Sequence, residues 1–540
     1  MASSTADMQR SGAFVVSAAV LASVSLAVIT AAPWIRQELV VCAIGSVVAG
    51  LLLVRQIRGW VGEGAALLTA ILSLSIAFHW APKVLAHAMD TSDAIGLAFT
   101  VPIVIWDSLR LVAPFWFAAR LVRDPRNAWL PAALVAVVTE AMLPSVFPWK
   151  LGYTLVAWPV TIQAVDLFGP EWSTFVLFAH AGAVIGVITA LLVVMGRGWL
   201  VGVSDHGTGA WTGAGILALA VVAGNLGYGF WALSHWRGVL AAAPTMRVAA
   251  VQADPSEEEA IVDLQRLTRA VCGNGERVDL VCWPECSGGS YEDCLESFAD
   301  QSLLKRHSRD PRWGVHPLES PSCPLLFGGQ IYRGLREKPQ ELYQSAILMD
   351  RAESVAGTYH KRHLMPFGEY VPWGEQFPEL RLYFPMVENF TIGREATVLE
   401  IEGPARLGVL LCYEDMVVPA AGSLVRNGAT VLVSLINGSV FTEPLTLVQH
   451  RLLAQLRAVE NRRCLVRCAA TGETCVISPL GTIVDRLPLH AADVLTAEVP
   501  LVERMTLVTR MGPMFPAFCG AVLAVASLRR WNARRRAPPT

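Results

Sequence analysis

Seven long apolar runs fill the first 240 residues, at positions 11–32, 39–54, 64–80, 94–119, 129–147, 173–195 and 210–233, and an eighth spans 511–528. Most approach the ~20 apolar residues that cross a hydrocarbon core, so the pattern predicts about seven transmembrane helices before residue 240 and one after 510. The run 39–54 is short. The run 94–119 carries Asp107 and Arg110 three residues apart, which reads either as an intramembrane ion pair or as a break between two segments. Between 246 and 502 the pattern changes to short apolar runs, at 248–252, 278–283, 325–330, 345–349, 355–360, 407–411, 430–436, 464–469 and 474–477. These alternate with helical stretches, the first announced by Asp254, Pro255 and the acidic residues that follow, and they predict an α/β domain with layered sheets.

Composition agrees with a membrane-embedded chain. Of 540 residues 53% are hydrophobic and 16% charged, against roughly 25% charged in soluble domains. The formal net charge of −2 excludes a global field for nucleic acid. With a cytoplasmic N-terminus, the inner loops collect Arg55, Arg58, Arg120, Arg123, Arg126 and Arg197, and the basic tail 529–540 adds five more arginines. The opposite short loops hold Arg36, Lys83, Lys150 and Arg237. The positive-inside rule therefore puts both termini in the cytoplasm and residues 235–510 outside. The first span is too long, and followed by too many others, for a cleaved signal peptide. Nine of eleven cysteines fall in the outer domain. Most read as small buried hydrophobes, disulfides being open to them in an oxidising compartment, and no spacing carries the histidines a zinc site needs, so neither metal nor cofactor is expected.

The candidate chemistry sits at three strand ends. Cys412 follows the run 407–411, Glu285 follows 278–283, and Lys361 follows 355–360. A free thiol near its reference pKa of about 8.5 is only a few per cent thiolate at neutral pH, so a base or a stabilising cation must accompany it. Glu285 suits the base. Lys361 suits stabilisation of the thiolate and of a tetrahedral oxyanion, together with the backbone N–H after Cys412. Each residue alone reads as structural, the thiol as inert filler and the other two as an ion pair; their convergence is what points to acyl transfer.

The flanking residues carry a resemblance. Trp283-Pro284-Glu285, Tyr359-His360-Lys361-Arg362-His363-Leu364 and Leu411-Cys412-Tyr413-Glu414-Asp415 resemble the Glu-Lys-Cys blocks of the nitrilase (carbon-nitrogen hydrolase) superfamily. More narrowly, the run from Lys361 to Pro372 is similar to that of the apolipoprotein N-acyltransferase family. So are Asn389-Phe390 with Gly393, the set Thr506, Arg510 and Gly512, and, in the membrane half, Phe147 to Tyr153 with Gln163, Asp166 and Gly169. The resemblance implies a multi-pass α-helical membrane domain over 1–240, a nitrilase-like α-β-β-α sandwich over 246–502 and a C-terminal transmembrane helix over 511–528. It makes Glu285 the base, Lys361 the oxyanion stabiliser and Cys412 the nucleophile, supported by Glu369, Tyr413 and Glu414.

The implied reaction is ping-pong. An acyl chain passes from a membrane phospholipid to the thiol, and from the thioester to the α-amine of a diacylglyceryl apolipoprotein, in the bacterial inner membrane with the catalytic domain on the periplasmic side. The aromatic-rich stretch 364–386 reads equally as core or as an interfacial loop, with Trp373 and Phe377 as lipid contacts. Departures from the family are Asn437-Gly438-Ser439-Val440-Phe441, Asp254, His180 and Gln344, and they leave acceptor and acyl-chain preference open. A membrane-tethered amidase of the same superfamily is the alternative; the intact triad argues against a non-catalytic scaffold.

Overall fold

The structure is a computed structural model describing residues 22–536 except 54–58, 123, 198–212, 254–259, 274, 276, 288–289, 293–322, 336–337, 353, 440 and 442. The start of the first expected span, the loop arginines Arg55, Arg58 and Arg123, and the helix start at 254–258 lie outside the described residues. The chain forms two compact units. One comprises Met1–His79, Phe99–Trp231 and Pro513–Thr540, and the other Trp80–Ala98 and Ala232–Gly512.

The first unit is helical. By length and composition the helices Asp93–Leu121, Glu171–Val194 and Gly213–Ala241 suffice to cross a membrane, and a fourth span arises if Val61–Ala77 and Ala81–His87 count as one. The expected run 94–119 is one continuous helix, and Arg110 Nη1 meets Asp107 Oδ1 at 2.7 Å inside it, so the charges are a buried pair and not a break. The segment Phe147–Tyr153 is fixed almost residue by residue. Trp149 Nε1 donates to Asp107 Oδ2 (3.3 Å), Lys150 pairs with Glu171 (2.7 Å), Leu151 N–H donates to Glu140 (2.8 Å) and Gly152 N–H to Thr174 (3.0 Å). Gly152 has no substitute, since a Cβ there would lie 2.0 Å from the Thr174 nitrogen. Where lipid supplies no hydrogen bonds, polar backbone outside a helix persists only when protein satisfies it, and this segment meets that condition.

Among the described residues, thirteen strands build the second unit: β1 (Thr245–Gln252), β2 (Leu280–Cys282), β3 (Ser290–Glu292), β4 (Leu325–Leu335), β5 (Lys338–Met349), β6 (Val355–His360), β7 (Val398–Glu400), β8 (Arg406–Leu411), β9 (Val431–Ile436), β10 (Leu465–Ala469), β11 (Cys475–Ile477), β12 (Ile483–Arg486) and β13 (Asp493–Pro500). One sheet has the order β13-β1-β2-β4-β5-β6, with β3 on β4; the other runs β12-β11-β10-β9-β8-β7. Strand alternation divides the faces. Val248 and Ala250 of β1 join Leu407, Val409, Val433 and Leu465 of the second sheet in one core, so the sheets pack face to face. Ala249 and Val251 point the other way, into a separate cluster with Val281, Trp283, Phe327 and Leu264 of the helix Ala260–Gly273. The helices Val418–Arg426 and Pro444–Asn461 cover the second sheet, giving the expected α-β-β-α layers.

The helix Pro444–Asn461 is unusual because its charged residues are inside. His450, Arg451, Arg457 and Glu460 are buried, and each finds a partner: Asp415 for His450 (2.7 Å), Glu473 for Arg451 (2.5 Å) and Glu460 for Arg457 (2.9 Å). Unpaired charges at such depth would cost several kcal/mol apiece, so the helix depends on these partners as well as on apolar contact. Among the cysteines, Cys272 and Cys323 form a disulfide; Cys282, Cys412, Cys464, Cys468, Cys475 and Cys519 are buried thiols, and Cys286 is exposed.

Candidate active site

Parallel pairing brings the site together. β8 and β9 are adjacent and parallel, so the residues following them, Cys412 and Asn437, leave the sheet side by side. Cys412 opens the tight turn Cys412–Met416 with φ of 46°, a left-handed conformation that a side chain normally avoids. It is held there by the residue two positions on. Glu414 is wholly buried, and its carboxylate accepts from Leu411 N–H (3.0 Å), Arg362 N–H (2.9 Å), His363 N–H (3.1 Å) and the Tyr359 hydroxyl (2.8 and 3.0 Å). One carboxylate thus ties the turn after β8 to the loop after β6, where Lys361 stands. The contacts of Glu414 are mainly to main-chain N–H groups.

Lys361 is buried between two carboxylates, with Nζ 3.1 Å from Glu285 Oε1 and 2.5 Å from Glu369 Oε1. The other oxygen of Glu369 accepts from Met365 N–H (2.7 Å), and the other oxygen of Glu285 from Asn437 N–H (3.3 Å). The Cys412 thiol points at the Asn437 carbonyl, 3.8 Å away. Asn437 is therefore a shared neighbour of Glu285 and Cys412 through its main chain, which no side-chain pattern in the sequence reveals. Glycine permits the close approaches: a Cβ at Gly328 would fall 2.6 Å from Glu285 Cα, and one at Gly393 would fall 2.3 Å from the His360 carbonyl. Gly393 N–H donates to the Lys361 carbonyl (2.8 Å) and Phe390 N–H to the Glu369 carbonyl (2.9 Å), so the Asn389 to Gly393 stretch buttresses the lysine and its second carboxylate.

The electrostatics follow from burial and sign. Burial opposes the charge on Lys361, but Glu285 and Glu369 outweigh it and hold the ammonium well above its ordinary pKa. Burial raises Glu369 despite the lysine beside it. Burial, then Glu285, push the Cys412 thiol well up, with Lys361 pulling the other way. The Cys412 thiol thus lies near an acidic and a basic side chain, the kinds of group that proton transfer from sulfur requires. Tyr413, next in the turn, is buried, and burial also raises its phenol. Asp415 closes the turn: burial would raise it, but His450 and Arg467 (3.0 Å) outweigh that and hold it down to about 2.

The aromatic stretch divides in two. Phe384, Val371 and Val387 are buried with Met89, and Phe367 packs on them. Trp373 is 68% exposed and Phe377 59%, beside the exposed Leu382, Tyr383 and Met386. The core reading holds for Phe384 with Phe367 packed on it, and Trp373 and Phe377 lie outside that core.

Residues 247–506 match the carbon-nitrogen hydrolase family. An apolipoprotein N-acyltransferase of Chlorobaculum tepidum is 32% identical over 312 residues, covering 53% of this chain and 58% of that protein, so the alignment spans less than two thirds of that relative. One from Geobacter metallireducens is 30% identical over 404 residues, 72% of each chain. Among solved structures, Saccharomyces cerevisiae Nit3, a member of the nitrilase superfamily, is similar with a TM-score of 0.33 and 20% identity, covering 52% of this chain and 94% of its own. Taken with identity that extends through both the helical and the sandwich portions, the chain belongs to the apolipoprotein N-acyltransferase family.

Proposed function

We propose that this membrane protein transfers an acyl chain from a phospholipid to the α-amine of a diacylglyceryl-cysteine at a lipoprotein's N-terminus, through a thioester on Cys412. The observation that carries the reading is the buried Glu285–Lys361–Glu369 cluster converging with a thiol on a left-handed turn. Glu285 takes the thiol proton as sulfur attacks the ester carbonyl. Lys361 and the N–H of Tyr413 stabilise the oxyanion. The oxyanion collapses, the C–O bond breaks, and the lysophospholipid leaves with the proton from Glu285. The amine then attacks the thioester, Glu285 accepts its proton, and the released thiolate is reprotonated. The direct test is mass spectrometry of the intact protein after incubation with phospholipid and no acceptor. One acyl mass on the Cys412 peptide is expected, and its absence under conditions that support transfer would sink the thioester route.

The exposed aromatic patch supports a lipid donor, because a diacyl chain must leave the bilayer through apolar contacts. Replacing either Trp373 or Phe377 with serine is expected to slow thioester formation from phospholipid about tenfold to a hundredfold, from roughly 1–3 kcal/mol of lost burial. Turnover of a water-soluble p-nitrophenyl ester should stay near wild type. Equal loss on both esters would reduce the patch to a structural one.

The reading places the protein in the bacterial inner membrane, with domain limits near 240, 502, 511 and 528, and the sandwich on the periplasmic side. The arginine asymmetry and the Cys272–Cys323 disulfide, which an oxidising compartment preserves, support this orientation. A reporter fused after Thr540 should read as cytoplasmic; a periplasmic signal would reverse the topology.

A further inference from the structure

A short segment far from the hydrolase-like region in sequence folds with it. Residues Trp80–Ala98 belong to the unit that contains the sandwich, although residues 247–506 alone match the hydrolase family. The segment is a tight hairpin, in which the helix Ala81–Ala88 turns through Asp90 (φ 47°) into the helix that begins at Asp93. Gly96 lets the two arms touch, since a Cβ there would lie 2.2 Å from the Pro82 carbonyl.

The hairpin contacts both loops that flank the candidate nucleophile. On one side the Trp80 indole N–H donates to Gln449 Oε1 (2.9 Å), and the Trp80 ring meets Phe441 edge-on at 6.1 Å. Trp80 is 6% exposed and Gln449 0%, so this bond is made away from water. Lys83 Nζ pairs with Glu443 Oε1 at 2.8 Å on the same stretch. That stretch begins at Asn437, whose N–H holds Glu285 and whose carbonyl faces the Cys412 thiol. On the other side Met89 is buried with Val371, Phe384 and Val387, in the loop that carries Glu369 to Lys361.

We propose that Trp80 is a positioning residue for the acyl-transfer site: through Phe441 and Gln449 it fixes the segment whose Asn437 main chain sets Glu285 against Cys412, with Lys83 assisting. The inference rests on the proposed role of Cys412 as nucleophile. Because Trp80 acts on the reacting groups and not on lipid capture, its loss affects any electrophile that reaches the thiol, unlike the loss of Trp373 and Phe377. A displacement on the order of 1 Å between reacting groups is enough for a hundredfold effect.

The test uses the full-length protein in detergent and reads iodoacetamide alkylation of the Cys412 peptide by mass spectrometry, alongside turnover of a soluble p-nitrophenyl ester. Trp80→Ala is expected to slow both by roughly ten- to a hundredfold. Trp80→Phe, which keeps an aromatic ring but removes the N–H, should slow both by a few-fold. Wild-type rates of both in a Trp80→Ala protein, even one with a lowered Tm, would show that the indole serves stability alone and overturn the proposal. Should Trp80→Ala fail to fold, the charge exchange decides: Lys83→Glu is expected to slow alkylation a few-fold at low salt, and adding Glu443→Lys to restore it. Failure of the double change to restore the rate would remove Lys83 from the arrangement, and wild-type rates in Trp80→Phe would then remove Trp80. Failure of acyl transfer to depend on Cys412 is a separate outcome, because alkylation needs no acyl substrate.

Discussion

Cys412→Ala is expected to lower acyl transfer by on the order of 10⁴-fold or more, to the level of the uncatalysed reaction. The reason is positional. Cys412 leaves the end of β8 in a left-handed turn beside the buried Glu285–Lys361 pair, whereas Cys286, also left-handed and next to Glu285, takes a hydrogen bond from Gln344 Nε2 (3.1 Å); the β-carbon of alanine offers no lone pair to an ester. The fold should survive, because the apolar cluster of Cys412 is small, with Ile436 and Ala469, and the turn is anchored by Glu414 and Asp415. Glu285→Gln is the informative companion. It preserves the shape and an oxygen for Asn437 N–H but abolishes the base, at a cost of about 10²–10⁴-fold. Both variants should bind phospholipid and neither should accumulate thioester. A Cys412→Ala protein that still transfers acyl chains at a measurable fraction of the wild-type rate would move the nucleophile elsewhere.

The second large effect belongs to a residue that touches no substrate. Glu414→Ala is expected to leave little folded protein. Its carboxylate satisfies three backbone N–H groups and a tyrosine hydroxyl in the interior. Each orphaned buried donor costs roughly 1–3 kcal/mol, so three approach the whole stability of an ordinary domain, about 5–15 kcal/mol. Glu414→Gln is milder but still damaging, because its NH₂ must face donors where an oxygen stood. A lowered Tm and a fall in ester turnover of at least about a hundredfold should accompany each other, since the same carboxylate locates Cys412 and the loop of Lys361. A glutamine variant with wild-type Tm and turnover would contradict the anchoring role. Tyr359→Phe, which removes one of the donors, should be tolerated far better.

Much of this arrangement was legible in the sequence because apolar strands and their polar ends have strong local signatures. The runs at 248–252, 355–360 and 407–411 correspond to β1, β6 and β8, and the three strand-end residues converge as the pattern implies. Other parts left no local trace. β7 and β12 are three and four residues long, too short for periodicity to register, and β13, an antiparallel edge strand, buries only Leu495 and Val499. The helix Pro444–Asn461 has the charge content of a solvated surface helix, and only its tertiary partners Asp415 and Glu473 explain why it lies inside. Trp80 and Met89 read as the end of an apolar run and its following loop. Their contacts lie hundreds of residues away in sequence, beyond the reach of any periodicity. Asn437 contributes main-chain groups, which its side-chain identity does not advertise.

The pairing of β1 with β13 bears on how such a chain is assembled from parts. Thr245 lies opposite Pro500, so the sandwich is entered and left on neighbouring strands, about 5 Å apart. Some 250 residues thus leave the chain almost where they joined it. In topological terms the sandwich is a cassette carried between two helical segments, with no geometric demand on the spacing of its flanks. Proteins tolerate insertions best where both ends of the inserted domain meet. The same closure gives the first strand synthesised after residue 244 its antiparallel partner only when residue 500 has emerged, which makes completion of the sheet edge a late event in the growth of the chain.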